Sequence, residues 1–399
     1  MAPPELPQEI IILILSFLFY DKPTLSSCSL VSKAWLSHSR THLFHDIAID
    51  HDNWETILLA PHPHISYTRR LKIADLGVLP SGPGLDRFSA ITSLMLQYNA
   101  PSKDMLLALP LLFPDVRTLY LDGVDFSTSA EAYTLFCAFK HLQKVSVSCT
   151  WDQTRATQGE QLYFPRGLRT VDASGGLFFL KVPISRSLGC ERLCVLRLYG
   201  LRIRDAVAIG AHLGALGGGL EHLELGFVAY SAAEFFHGKI DLGPNTNLRS
   251  FSLLRAPPKL FLSTLQSGVP LQKLEEATLT MHSMRDDAQI IRVLTSFDWA
   301  ALDALTGDAL YTPRLHNVTL RLEESMRTRV QECVKGAMRM SVGRNVLEFR
   351  FVKGLRDVCE WEEQMMEDPI EMRGMAARYG KCFVDMVSVV WVFFGRLDG

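Results

Sequence analysis

The chain has 399 residues, of which 48% are hydrophobic and 21% are charged, and its formal net charge is −2 at pH 7. This length is enough to bury a large core and predicts two or three domains. The near-zero net charge offers no basic surface for nucleic acid or for an anionic membrane, so neither is expected as a partner. The sequence contains no run of about 18 apolar residues, the length that a membrane-spanning helix requires.

The eight cysteines are scattered along the chain. Only Cys190 and Cys194 lie close together, and no second pair has the spacing of a zinc site. The residues before the first apolar run include Glu5 and no basic residue, which argues against a secretory signal peptide. We therefore expect reduced thiols and a location in the cytoplasm, the nucleus or both.

The first strong pattern is the apolar run from Ile10 to Tyr20, which only Ser16 interrupts. A helix that is apolar on all sides must be buried on more than one side, and this run is too short to span a bilayer. It therefore predicts a helix with a small core of its own and a second surface that another protein covers. Asp21 is a candidate cap, and Pro23 ends the run.

A wider set of residues around this run forms a recognisable motif. Its members are Leu6-Pro7-Gln8-Glu9-Ile10, Ile14-Leu15, Leu18, Leu25, Leu30-Val31-Ser32-Lys33-Ala34-Trp35, Ser39-Arg40, His42-Leu43-Phe44 and Ile47-Ala48-Ile49. Together they resemble the F-box, in the form seen in fungal F-box proteins. Ser32 departs from the motif, since many F-boxes have cysteine there. The alternatives are a self-contained helical cap and a targeting segment.

The resemblance implies a three-helix F-box over residues 1–45 and a linker over 46–67. It also implies docking on a Skp-family adaptor and, through that adaptor, on a cullin-RING ubiquitin ligase. The residues that would bind the adaptor are Leu6, Pro7, Ile10, Ile14, Leu15, Leu18, Leu25, Leu30, Val31 and Trp35.

From about residue 68 the chain repeats an apolar pattern. The clearest copy runs from Ile91 to Asn99 and fits the leucine-rich form L-x-x-L-x-L-x-x-N. Copies begin at residues 68, 91, 116, 142, 168, 193, 220, 248, 274, 315 and 346. The first eight spacings fall between 23 and 28 residues, within the roughly 20–29 residues of leucine-rich repeats. Asn99 has no counterpart in most copies, which predicts an irregular array.

The predicted fold is thus α/β. An F-box precedes an irregular leucine-rich-repeat solenoid over residues 68–354, with parallel strands on its concave face. An insertion is expected at about 283–314, and a C-terminal cap at 355–399. The alternative is an ordinary α/β domain of parallel strands and helices.

Catalytic and cofactor motifs are missing from the sequence, so we expect neither an enzyme nor a bound cofactor or metal. Gly217-Gly218-Gly219 is interpreted as a helix C-cap and turn rather than a phosphate-binding loop. The histidines at 38, 42 and 45 lie within the F-box resemblance and lack a fourth ligand for zinc.

Side chains alternate across a strand, so every second residue of each copy should face the concave surface. Aromatic residues and arginine are the commonest interface anchors. We therefore select Tyr120, Arg197, Tyr199, Arg321 and Arg350 as candidate contacts. Counted from the first residue of each copy, Arg321 is at position seven and Arg350 is at position five. Asp172 and Glu224, on the strands beside Arg197, complete a predicted substrate-binding patch. The alternative is that Arg197 only pairs with these two acids.

The resemblance implies a substrate-recognition adaptor of an SCF-type ubiquitin ligase, in which the F-box docks on the Skp-family adaptor and the repeats bind an unidentified substrate protein. The alternative is a scaffold of the same architecture that binds partners without ligase activity.

Overall fold

The computed structural model describes residues 6–59, 64–75, 84–148, 164–174, 192–266, 271–281, 292–307, 312–323 and 347–352. The predicted C-terminal cap at 355–399, Cys190 and parts of the predicted insertion at 283–314 lie outside these residues.

Three short helices form the N-terminal part: α1 (Gln8–Phe17), α2 (Lys22–Cys28) and α3 (Lys33–Leu43). Pro7 lies just before α1, and its own carbonyl accepts the first helical hydrogen bonds. Asp21 caps α2 as predicted, since its carboxylate accepts from the Thr24 backbone N–H at 3.1 Å and from the Thr24 hydroxyl at 2.7 Å.

The core of these helices is small. It consists of Ile11, Leu15 and Leu25, which are at most 4% exposed. Four partly buried side chains pack around it, those of Leu18, Cys28, Trp35 and Leu43.

The rest of the described chain is built on one parallel sheet. Its twelve described strands pair in chain order. They are β1 (Asp46–Ile49), β2 (Arg70–Ala74), β3 (Ser93–Gln97), β4 (Thr118–Asp122), β5 (Lys144–Ser148), β6 (Thr170–Ser174), β7 (Val195–Leu201), β8 (His222–Phe227), β9 (Ser250–Leu254), β10 (Glu276–Met281), β11 (Asn317–Glu323) and β12 (Leu347–Val352). All eleven predicted segments contain a strand, so this prediction is confirmed. The sheet is compatible with an α/β solenoid.

The sheet begins earlier than the repeat pattern did. β1 lies in the segment predicted as a linker, and it pairs with β2 from Asp46↔Arg70 to Ile49↔Ile73. The chain therefore passes from α3 into the sheet within three residues.

Helices follow most strands and cover one face of the sheet. They are α4 (Trp54–Leu59), α5 (Lys103–Leu112), α6 (Ser129–Ala138), α7 (Ala206–Leu216), α8 (Tyr230–Glu234), α9 (Pro258–Leu265) and α10 (Trp299–Gly307), the last within the predicted insertion. None of the described helices is long and apolar enough to cross a membrane.

Alternating residues of each strand build the core under these helices. In β3, Leu94 and Leu96 are fully buried, and the helices contribute Leu109, Phe136 and Leu213, which are also fully buried. Strand and helix residues form one continuous apolar cluster from Ile49 to Leu322. The residues between the buried ones in each strand lie on the opposite face, called here the open sheet face.

A left-handed residue follows several strands. Asp75, Tyr98 and Arg255 have φ between 50° and 55°, and Gly123 occupies the equivalent position after β4 with φ of 58°. Gly200 has φ of 71° inside β7, at the point where the register with β8 shifts. This backbone shape turns each N–H towards the next strand: those of Asp75, Tyr98 and Arg255 donate to carbonyls of that strand at 2.8–3.1 Å. The hydrogen-bond ladder between neighbouring strands is therefore one bond longer before the chain leaves the sheet. The same backbone conformation thus recurs after β2, β3, β4 and β9.

Asn99 follows the left-handed Tyr98 and is 2% exposed. Its side-chain amide donates to the Ile73 carbonyl at 2.8 Å and to the Gln97 carbonyl at 2.9 Å. The side chain therefore satisfies two carbonyls at the point where the ladder ends.

Candidate functional site

Helix α1 has two apolar sides. Ile11 and Leu15 face the small core. The other side, called here the α1 apolar face, is solvent-exposed and consists of Leu6 (52%), Ile10 (42%), Leu13 (52%), Ile14 (36%) and Phe17 (80%). Because a helix has 3.6 residues per turn, Ile10, Leu13, Ile14 and Phe17 fall on one stripe. This exposed stripe of four large apolar side chains, together with Leu6 just before the helix, indicates a surface that a partner covers.

Two further exposed apolar residues, Leu30 (85%) and Val31 (66%), lie in the connection between α2 and α3. Tyr20 is also exposed (88%). The adaptor-binding set predicted from the sequence includes Leu30 and Val31 but omits Leu13, Phe17 and Tyr20. Helical spacing from Ile10 would have selected Leu13 and Phe17.

Four residues of that predicted set belong to the small core or pack against it. Leu15 and Leu25 are fully buried, and Leu18 and Trp35 pack against them. These side chains hold the three helices together, so they support the α1 apolar face and do not form it.

The histidines of the N-terminal part form different polar contacts, although His42 and His45 both pack against the Phe19 ring. His38 bonds Gln8 at 2.9 Å, whereas His45 pairs with Asp46. Lys22 donates to the His42 carbonyl at 2.7 Å, and burial followed by the nearby positive charges lowers the pKa of the His42 ring. Among the described residues, no group of three or more potential ligands could hold a metal ion.

The open sheet face carries a row of alternating charges on neighbouring strands. Asp172 of β6 lies 3.0 Å from Lys144 and 3.0 Å from Arg197 of β7, and Arg197 lies 3.5 Å from Glu224 of β8. The backbone register places Asp172, Arg197 and Glu224 directly beside one another. These four residues, called here the central ion-pair row, carry two positive and two negative charges.

Two tyrosines of the predicted substrate-binding set, Tyr120 and Tyr199, flank the central ion-pair row. The Lys144 ammonium lies 5.6 Å from the centre of the Tyr120 ring. Tyr199 lies beside Glu224, and burial followed by the Glu224 charge raises the pKa of its hydroxyl. The Tyr199 ring covers Gly226, where a Cβ atom would lie only 2.9 Å from Tyr199 Cδ1. Gly226 therefore provides the space that the ring occupies.

Burial disfavours the charged form of the Glu224 carboxyl, even though Arg197 and Tyr199 lie beside it. Burial raises the pKa of its carboxyl, although the charge of Arg197 and a hydrogen bond from Tyr199 act in the opposite direction. The structure thus brings together Asp172, Arg197, Tyr199 and Glu224 as predicted, and adds Lys144, which sequence reasoning missed. The sequence contained a signal for Lys144, because it is the third residue of its repeat copy and alternation places that position on the same face as the fifth.

The last strand is paired two residues away from its predicted position. Thr319 of β11 lies beside Glu348, and Arg321 lies beside Arg350. Arg350 was predicted at position five of its copy, and that position belongs to Glu348. The correction places two arginines side by side on the open sheet face. Arg350 also pairs with Glu348 at 2.8 Å, and this hydrogen bond lowers the pKa of the Glu348 carboxyl.

Asp122 is a further acidic residue of the open sheet face, and the predicted substrate-binding patch does not include it. It is 8% exposed and accepts from the Gln97 amide at 2.8 Å. Burial raises the pKa of its carboxyl, with the Gln97 bond and the Lys72 charge opposing that rise.

Comparison with known families agrees with the N-terminal geometry. Residues 4–58 match the F-box-like family model, a range that includes α1, α2, α3, β1 and most of α4. A comparison with curated proteins finds no match for the chain. The three helices and the α1 apolar face therefore belong to an F-box-like domain.

Proposed function

We propose that this protein is the substrate-recognition adaptor of an SCF-type ubiquitin ligase. In this proposal the α1 apolar face, with Leu30 and Val31, docks on a Skp-family adaptor that leads to a cullin and a RING protein. The observation that carries it is the F-box-like match over residues 4–58, combined with a helix that exposes a continuous apolar stripe in exactly that range. The protein would act in the cytoplasm or nucleus, where such ligases assemble.

The energetics favour this surface as the docking site. Burying a large apolar side chain fully contributes about 1.5–3 kcal/mol, and Phe17 has four-fifths of its surface available. Aromatic residues near the centre of an interface commonly carry much of the binding energy. The small core of Ile11, Leu15 and Leu25 already uses the opposite side of α1. The exposed side is therefore available to a partner without unfolding the domain.

We further propose that the strands after β1 belong to degenerate leucine-rich repeats and that the open sheet face binds the substrate protein. The regular spacing of the copies and the left-handed residues after the strands support this assignment. The chain would contribute no bond-forming chemistry. Its effect would be proximity, because a substrate held on the sheet meets the ubiquitin-carrying enzyme at a high effective concentration.

The test is co-purification of the tagged full chain with a Skp-family adaptor. The variants Leu13→Asp and Phe17→Asp each place a charge on the α1 apolar face, and we expect each to lose the adaptor. Val207→Asp is the matched control, because Val207 is 72% exposed on a helix of the sheet domain. Retention of the adaptor by both α1 variants would refute the docking surface.

The same purification separates a ligase adaptor from a scaffold. We expect a cullin to be recovered together with the Skp-family adaptor by the wild-type chain and to be lost with it in the α1 variants. Recovery of the adaptor without any cullin, under conditions where a known F-box protein recovers both, would exclude the ligase role and favour the scaffold.

A further inference from the structure

The basic residues of the open sheet face differ in how closely they are paired with acids. The central ion-pair row neutralises itself, since Lys144 and Arg197 face Asp172 and Glu224 at 3.0–3.5 Å. At the far end of the sheet, Arg321 of β11 and Arg350 of β12 are register partners, and the charges of Glu348 and Glu276 act on Arg350. Backbones of neighbouring strands lie about 4.8 Å apart, so the two side chains start close together.

These two arginines differ in what they bind. Arg350 pairs with Glu348 at 2.8 Å and is about half exposed, with 51% of its side-chain surface accessible. Arg321 is exposed and makes no hydrogen bond or ion pair within the part of the chain that the structure describes. Its neighbours Thr280 and Thr319 are each 3% exposed. A partner that approaches here therefore meets the Arg321 guanidinium rather than the two hydroxyl groups.

We propose that Arg321 and Arg350 bind a carboxylate side chain on an extended segment of the partner protein. This inference rests on the proposed function, in which the partner is the ubiquitylation substrate, and it adds the chemical class of the segment. The planar guanidinium presents N–H donors in a fork that matches a carboxylate. Arg321 supplies the free fork, while Glu348 holds Arg350 in place beside it.

The neighbouring acids favour a carboxylate over a phosphoryl group. Glu348 pairs with Arg350, and the charge of Glu276 also acts on Arg350. A phosphoryl group carries about −1.5 to −2 at neutral pH and would be repelled by these two acids more strongly than a carboxylate, which brings one negative charge.

A protein segment fits this face better than a nucleic acid does. Along the same face, Asp122, Asp172, Glu224 and Glu348 alternate with the basic residues. A continuous polyanion would meet these carboxylates as well as the arginines, and like charges repel. A peptide with one acidic residue among uncharged ones meets only the arginine pair.

The experiment uses the purified full chain and a phage-displayed library of random 12-residue peptides. We expect the wild-type chain to select peptides enriched in Asp or Glu at one aligned position, and the double variant Arg321→Ala with Arg350→Ala to lose that enrichment. Arg249→Ala is the matched control, because Arg249 is 49% exposed and pairs with Glu221 and Glu275 elsewhere on the surface. Selection without acidic enrichment by the wild-type chain would overturn the proposal.

Fluorescence anisotropy of one selected peptide then measures the contribution of the pair. We expect the Kd to rise about tenfold, or about 1.4 kcal/mol, when the acidic residue of the peptide becomes Gln or when Arg321 becomes Ala. The variant Arg321→Glu should recover binding to a peptide that has Lys in place of the acidic residue. An unchanged Kd in Arg321→Ala would refute the site. Tighter binding of a phosphoserine version than of the acidic peptide would overturn the choice of carboxylate.

Failure here is distinguishable from failure of the proposed function. If the arginine variants keep the Skp-family adaptor and the wild-type chain selects no acidic peptides, only the carboxylate site is refuted. If the wild-type chain selects acidic peptides and recovers no adaptor, the site stands and the ligase role does not.

Discussion

Replacing Arg197 tests whether the central ion-pair row stabilises the sheet or leaves its free energy of unfolding unchanged. Arg197 lies 3.0 Å from Asp172 and 3.5 Å from Glu224, and 38% of its side-chain surface is accessible. Two substitutions separate charge from packing. Arg197→Met keeps a long side chain without charge, and Arg197→Glu places a carboxylate between two others.

The magnitude follows from the two contacts. An ion pair this exposed contributes about 0.5 kcal/mol after screening by solvent, so Arg197→Met should lower the free energy of unfolding by about 1 kcal/mol. Like charges that lie directly opposite across strands destabilise by a similar amount. Arg197→Glu converts two attractions into two repulsions, so its loss should be about twice as large, roughly 2 kcal/mol.

The assay is urea unfolding followed by far-ultraviolet circular dichroism at pH 7, in 0.1 M and in 1 M NaCl. The Debye length falls from about 10 Å to about 3 Å between these conditions, so the gap between the two variants should narrow at high salt. It should also narrow below about pH 4, where carboxylates become protonated. Equal stability of the two variants at 0.1 M NaCl, or a gap that salt does not change, would refute the stabilising row.

Two further predictions concern the ends of the first strands. Asn99→Ala should lower the free energy of unfolding by about 2 kcal/mol, measured by urea unfolding, because two hydrogen bonds are lost at about 1 kcal/mol each, although the Gln97 carbonyl keeps the Asp75 N–H. Asn99→Asp removes the same donors and places a buried carboxylate beside two carbonyl oxygens, so it should lose more. Wild-type stability in either variant would contradict the role. Burial raises the pKa of the Asp122 carboxyl above its ordinary 3.8, so folding favours its protonated form. The contribution of this carboxyl to the free energy of unfolding is therefore fully present below pH 3.8 and is lost as the pH rises through the folded-state pKa. Asp122→Asn keeps an acceptor for Gln97 and should therefore melt with wild type below pH 3.8 and at a higher temperature than wild type at pH 7; a constant difference across pH would contradict this.

The strand positions were predictable because two constraints act together along the repeat. Each strand needs apolar side chains on one face, and each turn of the chain needs a similar length to return. These constraints located β3, where Leu94 and Leu96 are fully buried, and the ten other predicted strands. The left-handed residues carried no such signal, because Asp75, Tyr98, Gly123 and Arg255 share no side-chain chemistry. Lateral hydrogen bonding of the backbone determines that conformation.

The register of β12 was missed for a related reason. Side chains alternate with a period of two along a strand, so a shift by two residues leaves the same side chains on the same faces. Leu347, Phe349 and Phe351 therefore fit the pattern in either register. Only pairing with β11 fixes the choice, and it joins Thr319 to Glu348. A pattern can thus predict which face Arg350 occupies and still misplace its neighbours.

Which side of α1 faces the core could not be predicted from composition. The run from Ile10 to Tyr20 is apolar on all sides, so the sequence contains no polar stripe that would separate the two faces. Leu15 and Ile14 are adjacent and chemically equivalent, yet Leu15 is fully buried and Ile14 is 36% exposed. Contacts with Leu25 and Trp35, far along the chain, decide between them.

The two candidate surfaces lie at opposite ends of one sheet. The F-box-like helices lead directly into β1, whereas Arg321 and Arg350 lie on β11 and β12. Ten to eleven strand spacings separate them, which is about 50 Å measured along the sheet. A parallel sheet that packs on a continuous apolar core deforms little, so the separation between its two ends changes little. The arrangement therefore suits a rigid spacer that holds a bound segment at a fixed distance from the adaptor. The proposed proximity mechanism would use that distance and needs no communication between the two sites.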